Sequence, residues 1–231
     1  MTAVENSRPT FLLVHGAFHG AWCWAKLQAA LGADRHAART VDLPTAVRTA
    51  TPTRPHSGVD DDAEVIRAQL RGNEGPVVVV AHSYGGVPVT QAIADAANVS
   101  HVVYLAAFPL EVGESAFGFQ GIPIHETSDG VIPVPENAET LLYADLSAEE
   151  AERAVRHLVP QSLRSCREQV TKAGWRTVPS TYIVCEQDQA LPLQDQEKLA
   201  ARANATHRLA SSHSPFLSMP GELANLLTKI V

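Results

Sequence analysis

The chain has 231 residues, of which 45% are hydrophobic and 19% are charged. This length and composition are typical of one globular domain with a sizeable core and exclude a disordered chain. Lys and Arg number 18 against 25 Asp and Glu, a formal net charge of −7, which disfavours nucleic acid and anionic membranes as partners.

Short apolar runs alternate along the chain with segments of helical period, which is the pattern of βαβ units. The predicted strands are Thr10–Val14, Ala38–Val41, Val77–Ala81, Val99–Ala107, Thr181–Cys185 and Thr206–Leu209. The predicted helices are Cys23–Leu31, Ala63–Leu70, Val87–Ala97, Ala148–Leu158, Leu163–Val170, Leu193–Ala203 and Met219–Val231. We therefore predict an α/β fold with a mostly parallel sheet flanked by helices.

The alternation breaks between Phe108 and Val178. Within this stretch, residues 113–135 carry several glycines and prolines and show no clear period. We interpret residues 108–178 as a cap inserted over the carboxyl edge of the sheet. Residues 1–107 and 179–231 then form the core domain.

The segment His82–Gly86 (HSYGG), which follows a predicted strand and precedes a predicted helix, has the pattern of a nucleophile elbow. The turn is so tight that the positions two before and two after the serine need small residues. Here they are Ala81 and Gly85, so alanine replaces the usual glycine at the first position. We predict Ser83 as the nucleophile rather than as an ordinary capping serine.

A serine nucleophile needs a base, and the base needs an acid that orients it. In enzymes with this elbow the acid and then the histidine lie on loops after later strands. Asp188 follows one predicted strand by three residues, and His213 follows the next by four. Glu186 at the strand end and Asp195 inside a predicted helix are weaker candidates for the acid. We predict Asp188 as the acid and His213 as the base.

The developing oxyanion needs hydrogen-bond donors. We predict the backbone N–H of Tyr84, directly after the nucleophile, and that of Ala17, in the loop after the first strand. His82 is interpreted as structural or pocket-lining, because the elbow would point it away from the serine. Candidates for an apolar substrate pocket, each of which also fits plain core packing, are Phe18, Phe108, Phe117, Phe119, Leu191 and Phe216.

No metal site is predicted. The acidic run Asp60–Asp62 is interpreted as favourable charge at a helix start. Cys23, Cys166 and Cys185 contain no CxxC pair and fit a reducing compartment. Residues 1–9 lack the apolar core of a signal peptide, and no apolar run reaches about 18 residues. We therefore expect a cytoplasmic protein without a membrane partner.

Four segments resemble the plant methylesterase and hydroxynitrile lyase branch of the α/β-hydrolases, with its small bacterial esterase relatives. They are Phe11–Trp24 (FLLVHGAFHGAWCW), His82–Gly86, Tyr182–Pro192 (YIVCEQDQALP) and Ser211–Pro220 (SSHSPFLSMP). The resemblance implies the α/β-hydrolase fold with a six-stranded sheet, a helical cap and no cofactor. It places the family roles on Ser83, Asp188 and His213, with oxyanion donors at Ala17 and Tyr84.

These observations predict a carboxylic-ester hydrolase that cleaves small, largely apolar esters through an acyl-enzyme on Ser83. The open alternatives are a thioesterase or C–C bond hydrolase on the same triad, a hydroxynitrile lyase, and a non-catalytic ligand-binding protein. The resemblance to the lyases implies a lysine directly after the catalytic histidine, and this chain has Ser214 there. A complete triad disfavours a purely ligand-binding role. The substrate identity and the oligomeric state stay open.

Overall fold

A computed structural model describes residues 8–47, 56–123 and 130–230. The strands are β1 Thr10–Val14, β2 Ala38–Val41, β3 Val77–His82, β4 Val99–Leu105, β5 Val131–Ile132, β6 Gln161–Ser162, β7 Ser180–Cys185 and β8 Ala205–Leu209. The α-helices are α1 Ala25–Ala33, α2 Val59–Arg71, α3 Gly86–Ala92, α4 Ala116–Phe119, α5 Ala138–Tyr143, α6 Ala148–Val155, α7 Leu163–Arg167, α8 Leu193–Ala200, α9 Pro215–Ser218 and α10 Pro220–Ile230. Short 3₁₀ turns cover Ala21–Trp24, Ser83–Gly85, Ile93–Asp95 and Gly174–Arg176.

Six strands form one sheet in the order β2-β1-β3-β4-β7-β8, and all neighbouring strands in it are parallel. The predicted fold class is therefore confirmed. Strand order reverses between β1 and β3, because the chain leaves β1 for one edge and leaves β3 for the other. Open α/β sheets bind ligands at the carboxyl ends of the strands at such a point.

The sequence VVVV makes β3 a central strand that is buried on both faces. Side chains alternate across the sheet, so Val77 and Val79 join one apolar cluster and Val78 and Val80 join the other. The first cluster includes residues of α2, α3 and α8, and the second includes residues of α1 and α10. Helices on both faces thus hold the carboxyl end of β3 in a fixed position.

Residues 108–178, which we name the cap segment, lie between β4 and β7. They contain α4 to α7 and a small antiparallel pair, β5 with β6. Its helices are shorter than the sequence predicted: α6 ends at Val155 rather than Leu158, and α7 ends at Arg167 rather than Val170. Helix α2 begins four residues earlier than predicted, at Val59. The acidic run consequently lies within its first turn, and Asp62 points inward, fully buried.

Candidate active site

Ser83 lies in a sharp turn between β3 and α3, with a φ of 50°. This left-handed conformation is costly for a residue with a side chain and is typical of functional turns. A Cβ at Gly85 would lie 2.5 Å from the carbonyl oxygen of His15, so only glycine fits there. Ala81 is fully buried between β1 and β4, where its methyl group is accommodated. The structure therefore has the strained turn that a nucleophile elbow requires.

His213 and Asp188 approach each other from the loops after β8 and β7. The His213 Nδ1 lies 2.7 Å from Asp188 Oδ2, and both side chains are almost completely buried. Because a carboxylate only accepts, Nδ1 carries the proton and Nε2 is left free to act as a base. The other oxygen, Asp188 Oδ1, accepts hydrogen bonds from the backbone N–H groups of Ala190 at 2.7 Å and Leu191 at 2.9 Å.

His82 contacts both the backbone and the ring of His213. Its Nε2 donates to the backbone carbonyl of His213 at 2.9 Å, and the two rings lie 4.5 Å apart between centroids. Burial lowers the pKa of His82 well below its usual value, so the ring stays neutral. The sequence interpretation of His82 as structural or pocket-lining did not include this bond, because a contact 131 residues away leaves no local signal.

The predicted oxyanion loop after β1 is fixed by two histidines. His15 Nε2 accepts from the backbone N–H of Leu43 at 3.0 Å. His19 Nδ1 donates to the carbonyl of Ala17 at 2.8 Å, which leaves Nε2 to accept from the Tyr143 hydroxyl at 2.8 Å. Burial lowers the pKa of His19 to about 3, so it remains neutral. Tyr143 of α5, in the cap segment, is therefore linked to the backbone of Ala17 through His19.

A cavity of about 200 Å³ lies between the core and the cap segment. Its wall includes the predicted nucleophile, base and oxyanion residues and four of the six predicted pocket residues. The lining residues are Ala17, Phe18, Ser83, Tyr84, Phe108, Ala116, Phe117, Gln120, Ile132, Leu141, Leu142, Cys166, Ala190, Leu191 and His213. Within the described chain, no Asp, Glu, Lys or Arg lines this cavity.

Phe119 and Phe216 were predicted for the pocket and do not line it. Phe119 is two residues from Phe117 on α4, so its side chain leaves about 200° further round the helix and faces Arg202. Phe216 is fully buried in the opposite core layer, with its ring 4.6 Å from that of Trp24. It packs beneath the elbow because α9 begins directly after the histidine loop.

The other acid candidates lie away from His213. Glu186 is exposed and faces Arg208 at 3.8 Å, and Asp195 pairs with Lys198 at 2.8 Å. The loop of His213 is bonded to the cap segment, because Asp145 accepts from both the backbone N–H and the hydroxyl of Ser212.

A model described as the alpha/beta hydrolase family matches residues 11–226. The chain belongs to this family. A probable hydrolase of Phoma sp. is 32% identical over 251 residues, covering 97% of this chain and 98% of that protein. Methylesterase 7 of Arabidopsis thaliana is 28% identical over 256 residues, with 98% and 97% covered. A solved Arabidopsis methylesterase superposes with a TM-score of 0.82 at 26% identity, covering 96% of this chain and 98% of that one.

These matches confirm the predicted resemblance to the methylesterase branch of the α/β-hydrolases. In the part of the chain that the structure describes, no helix has the length and hydropathy to cross a membrane. The same residues contain no group of three or more His, Cys, Asp or Glu side chains arranged to hold a metal ion.

The burial of Asp62 in this hydrolase was not predicted from the sequence. Its carboxylate accepts from the Thr45 N–H at 3.1 Å, the Thr45 hydroxyl at 2.6 Å and the Tyr84 hydroxyl at 2.8 Å. Desolvation raises its pKa to about 7, against the opposing effect of these hydrogen bonds. The run of three aspartates pointed only to helix capping, and burial of the third depends on tertiary contacts.

Proposed function

We propose that this chain is a carboxylic-ester hydrolase that acts on small, uncharged, largely apolar esters through an acyl-enzyme on Ser83. The observation that carries the proposal is the buried Asp188–His213 pair, whose histidine shares an apolar cavity with a serine in a strained turn. A positioned acid, base and nucleophile are the components that acyl transfer requires.

The reaction runs in two halves. In the first, Ser83 Oγ attacks the ester carbonyl carbon while His213 Nε2 takes its proton, and Asp188 stabilises the imidazolium. The N–H groups of Ala17 and Tyr84 hold the oxyanion of the tetrahedral intermediate. Collapse of this intermediate breaks the ester C–O bond, and His213 returns the proton to the leaving alcohol. In the second half, water attacks the acyl-enzyme by the same route and releases the acid.

The cavity wall supports a neutral apolar substrate. Alanine, phenylalanine, leucine and isoleucine side chains form most of it, and among the described lining residues Gln120 is the one with an amide side chain. A substrate carboxylate or ammonium would have no partner of opposite charge there, and such a buried charge is costly. The volume of about 200 Å³ lies below the roughly 300–1,000 Å³ typical of sites for drug-sized ligands. Relatives named methylesterases add support for ester substrates with a small alcohol.

The cation positions weigh against cyanohydrin cleavage. Departing cyanide needs a positive charge close by, because a buried anion without a partner costs several kcal/mol. Lys172 pairs with Asp95, and Arg176 pairs with Glu111 at 2.8 Å, so these two cations of the cap segment are engaged away from the cavity wall. This favours ester hydrolysis over the lyase alternative.

The test compares Ser83→Ala with the wild type on p-nitrophenyl acetate and butyrate. We expect kcat to fall by about 10⁶-fold, by analogy with the serine-protease series, with an unchanged unfolding temperature. A fluorophosphonate probe should add one label to the wild type and none to the variant, as measured by intact mass. Ser100→Ala is the matched control, since its hydroxyl bonds to the Val77 carbonyl on the sheet. Full turnover by Ser83→Ala would refute the proposal.

A further inference from the structure

The hydroxyl of Tyr84 and the backbone N–H of Tyr84 face different parts of the hydrolase. The N–H belongs to the elbow, where the proposed mechanism needs an oxyanion donor, and the residue lines the cavity. The hydroxyl reaches the first turn of α2 and donates to Asp62 Oδ2 at 2.8 Å. Because the ring is rigid and almost completely buried, anchoring its hydroxyl restrains the backbone at the other end.

Asp62 is also bonded to the loop after β2, which in turn is bonded to the cap segment. Thr45, in the loop after β2, binds both carboxylate oxygens through its N–H and hydroxyl. Gln161, on β6 of the cap segment, donates its amide to the Thr45 hydroxyl at 3.0 Å and to the Ser165 hydroxyl at 2.8 Å. The cap segment, α2 and the elbow are thus joined through one buried polar network.

The network is satisfied only by an acceptor with two oxygens. All three bonds to Asp62 come from donors, and an ionised carboxylate accepts all of them. A protonated carboxyl would carry a hydrogen of its own. One of the three partner groups would then have to stop donating to Asp62. Among the described residues, the groups that face Asp62 from the packed elements are Thr45, Tyr84, Cys166 and, along its own helix, Asp61, and none of these is a cation.

We propose that Asp62 is a positioning residue for acyl transfer, which holds Tyr84 so that its N–H points at the oxyanion and which ties this donor to the cap segment. The inference rests on the proposed function, because it assigns a reason for the buried carboxylate in that reaction. An electrostatic effect opposes it, since a negative charge behind the elbow disfavours the oxyanion. The geometric effect is expected to be the larger one, because the carboxylate is shared by three donors.

The experiment uses Tyr84→Phe, Asp62→Asn and the double variant, with p-nitrophenyl butyrate as substrate. Removing an oxyanion donor costs about 10²–10³-fold in kcat, so misdirecting one is expected to cost about tenfold. Each single variant should therefore lose about tenfold in kcat with KM changed by less than about twofold. The double variant should be no slower than the slower single variant, because both remove the same interaction.

Tyr104→Phe is the matched control. It removes a buried tyrosine hydroxyl with a 2.8 Å hydrogen bond, to Thr90, without touching the Asp62 network. We expect its kcat to stay within about twofold of the wild type. The second readout is the ratio of wild-type to Asp62→Asn kcat against pH. It should increase as pH rises and level off above about 7, because only ionised Asp62 accepts all its bonds. A merely structural Asp62 gives a ratio independent of pH.

Three outcomes overturn the inference: unchanged or raised kcat in Tyr84→Phe, additive losses in the double variant, or a flat pH ratio. If Asp62→Asn does not fold, Tyr84→Phe against Tyr104→Phe decides alone. Wild-type protein that neither turns over the ester nor takes a fluorophosphonate on Ser83 refutes the proposed function and the inference together. Active wild type with unaffected variants refutes the inference alone.

Discussion

On each of two sides of the cavity, a wall residue is bonded to a buried aspartate: His213 to Asp188 and Tyr84 to Asp62. The two aspartates have different partners. Asp188 accepts from two backbone N–H groups and faces His213, which gains a positive charge when it takes a proton. Asp62 accepts from Thr45 and Tyr84, which stay neutral donors. In the proposed mechanism, an aspartate side chain therefore supports proton transfer on one side and positions a backbone N–H group on the other, depending on its partner.

Replacing Asp188 by asparagine should disrupt the Asp188–His213 side of the cavity. The amide oxygen can keep the bonds from Ala190 and Leu191, which turns the NH₂ group toward His213 Nδ1. Nδ1 must then accept, so the proton moves to Nε2 and the base is lost. By analogy with the serine-protease example, we expect kcat for p-nitrophenyl butyrate to fall by about 10⁴-fold with the fold intact.

Glu186→Gln is the control for this prediction, because Glu186 lies on the same loop, exposed and facing Arg208. It should retain near-wild-type kcat. The opposite result, an inactive Glu186→Gln beside an active Asp188→Asn, would move the acid to Glu186.

Replacing His82 by phenylalanine tests how firmly the histidine side must be held. The variant keeps a ring beside His213 and leaves the carbonyl of His213 without its donor at 2.9 Å. A displacement of about 1 Å at a reacting group can cost about 10²-fold, and we expect a loss in kcat of up to this size. His101→Phe is the matched control, because it loses a 2.9 Å bond to Thr181 away from the cavity. Equal kinetics for the two variants would assign His82 a purely structural role.

Residues of the cap segment form much of the cavity wall between the two sides. Helix α4 of this segment contains two phenylalanines, Phe117 and Phe119, that can be compared. Phe117→Ala removes a side chain of the cavity wall, whereas Phe119 is not a lining residue and packs behind the wall against Phe108. We expect Phe117→Ala to raise kcat/KM for p-nitrophenyl octanoate relative to acetate by about tenfold, the order expected for altered apolar contact. Phe119→Ala should keep the wild-type ratio. A shift of equal size in both variants would contradict the assigned lining.

The residues proposed for proton transfer could be predicted from the sequence, whereas the buried position of Asp62 could not, and the reason is physical. Ser83, Asp188 and His213 each follow a strand with a clear apolar signal, and parallel strands bring their carboxyl ends to one edge. Asp62 lies instead in a helix, and its inward direction follows from α2 starting at Val59 rather than at Ala63. With a helix start at Ala63, the acidic run Asp60–Asp62 would precede the helix as capping charge. With the start at Val59, Asp62 lies inside the helix and joins a buried network.

The cap segment was the part least accessible from the sequence. Its short helices contain few apolar residues each, so their ends could be placed only to within a few residues. The two phenylalanines of α4 look equivalent in sequence. Only the orientation of that one helical turn places Phe117 on the cavity wall and Phe119, half-buried, against Phe108 and Arg202. Bonds such as Tyr143 to His19 join positions 124 residues apart and leave no local pattern.

The smallest expected effect concerns stability against pH, and its sign differs between the two sides. The pKa of Asp62 is raised from 3.8 to about 7 on folding, so the folded state binds more protons than the unfolded state between about pH 4 and 7. The free energy of unfolding therefore decreases as pH rises through this window, by at most about 1.4 kcal/mol per pH unit for one proton. His19 and His82 act oppositely, because their lowered pKa values cost stability as pH falls below 6.5.

The histidine contributions are common to the wild type and Asp62→Asn, so they cancel in the difference between the two. We expect the unfolding free energy of Asp62→Asn, from urea titrations between pH 4.5 and 8, to gain on the wild type as pH rises to about 7 and then to run parallel. Asp60→Asn changes an exposed carboxylate in the same turn of α2, which bonds Gln91, and serves as the control. A constant difference between Asp62→Asn and wild type across this range would mean that Asp62 does not titrate there.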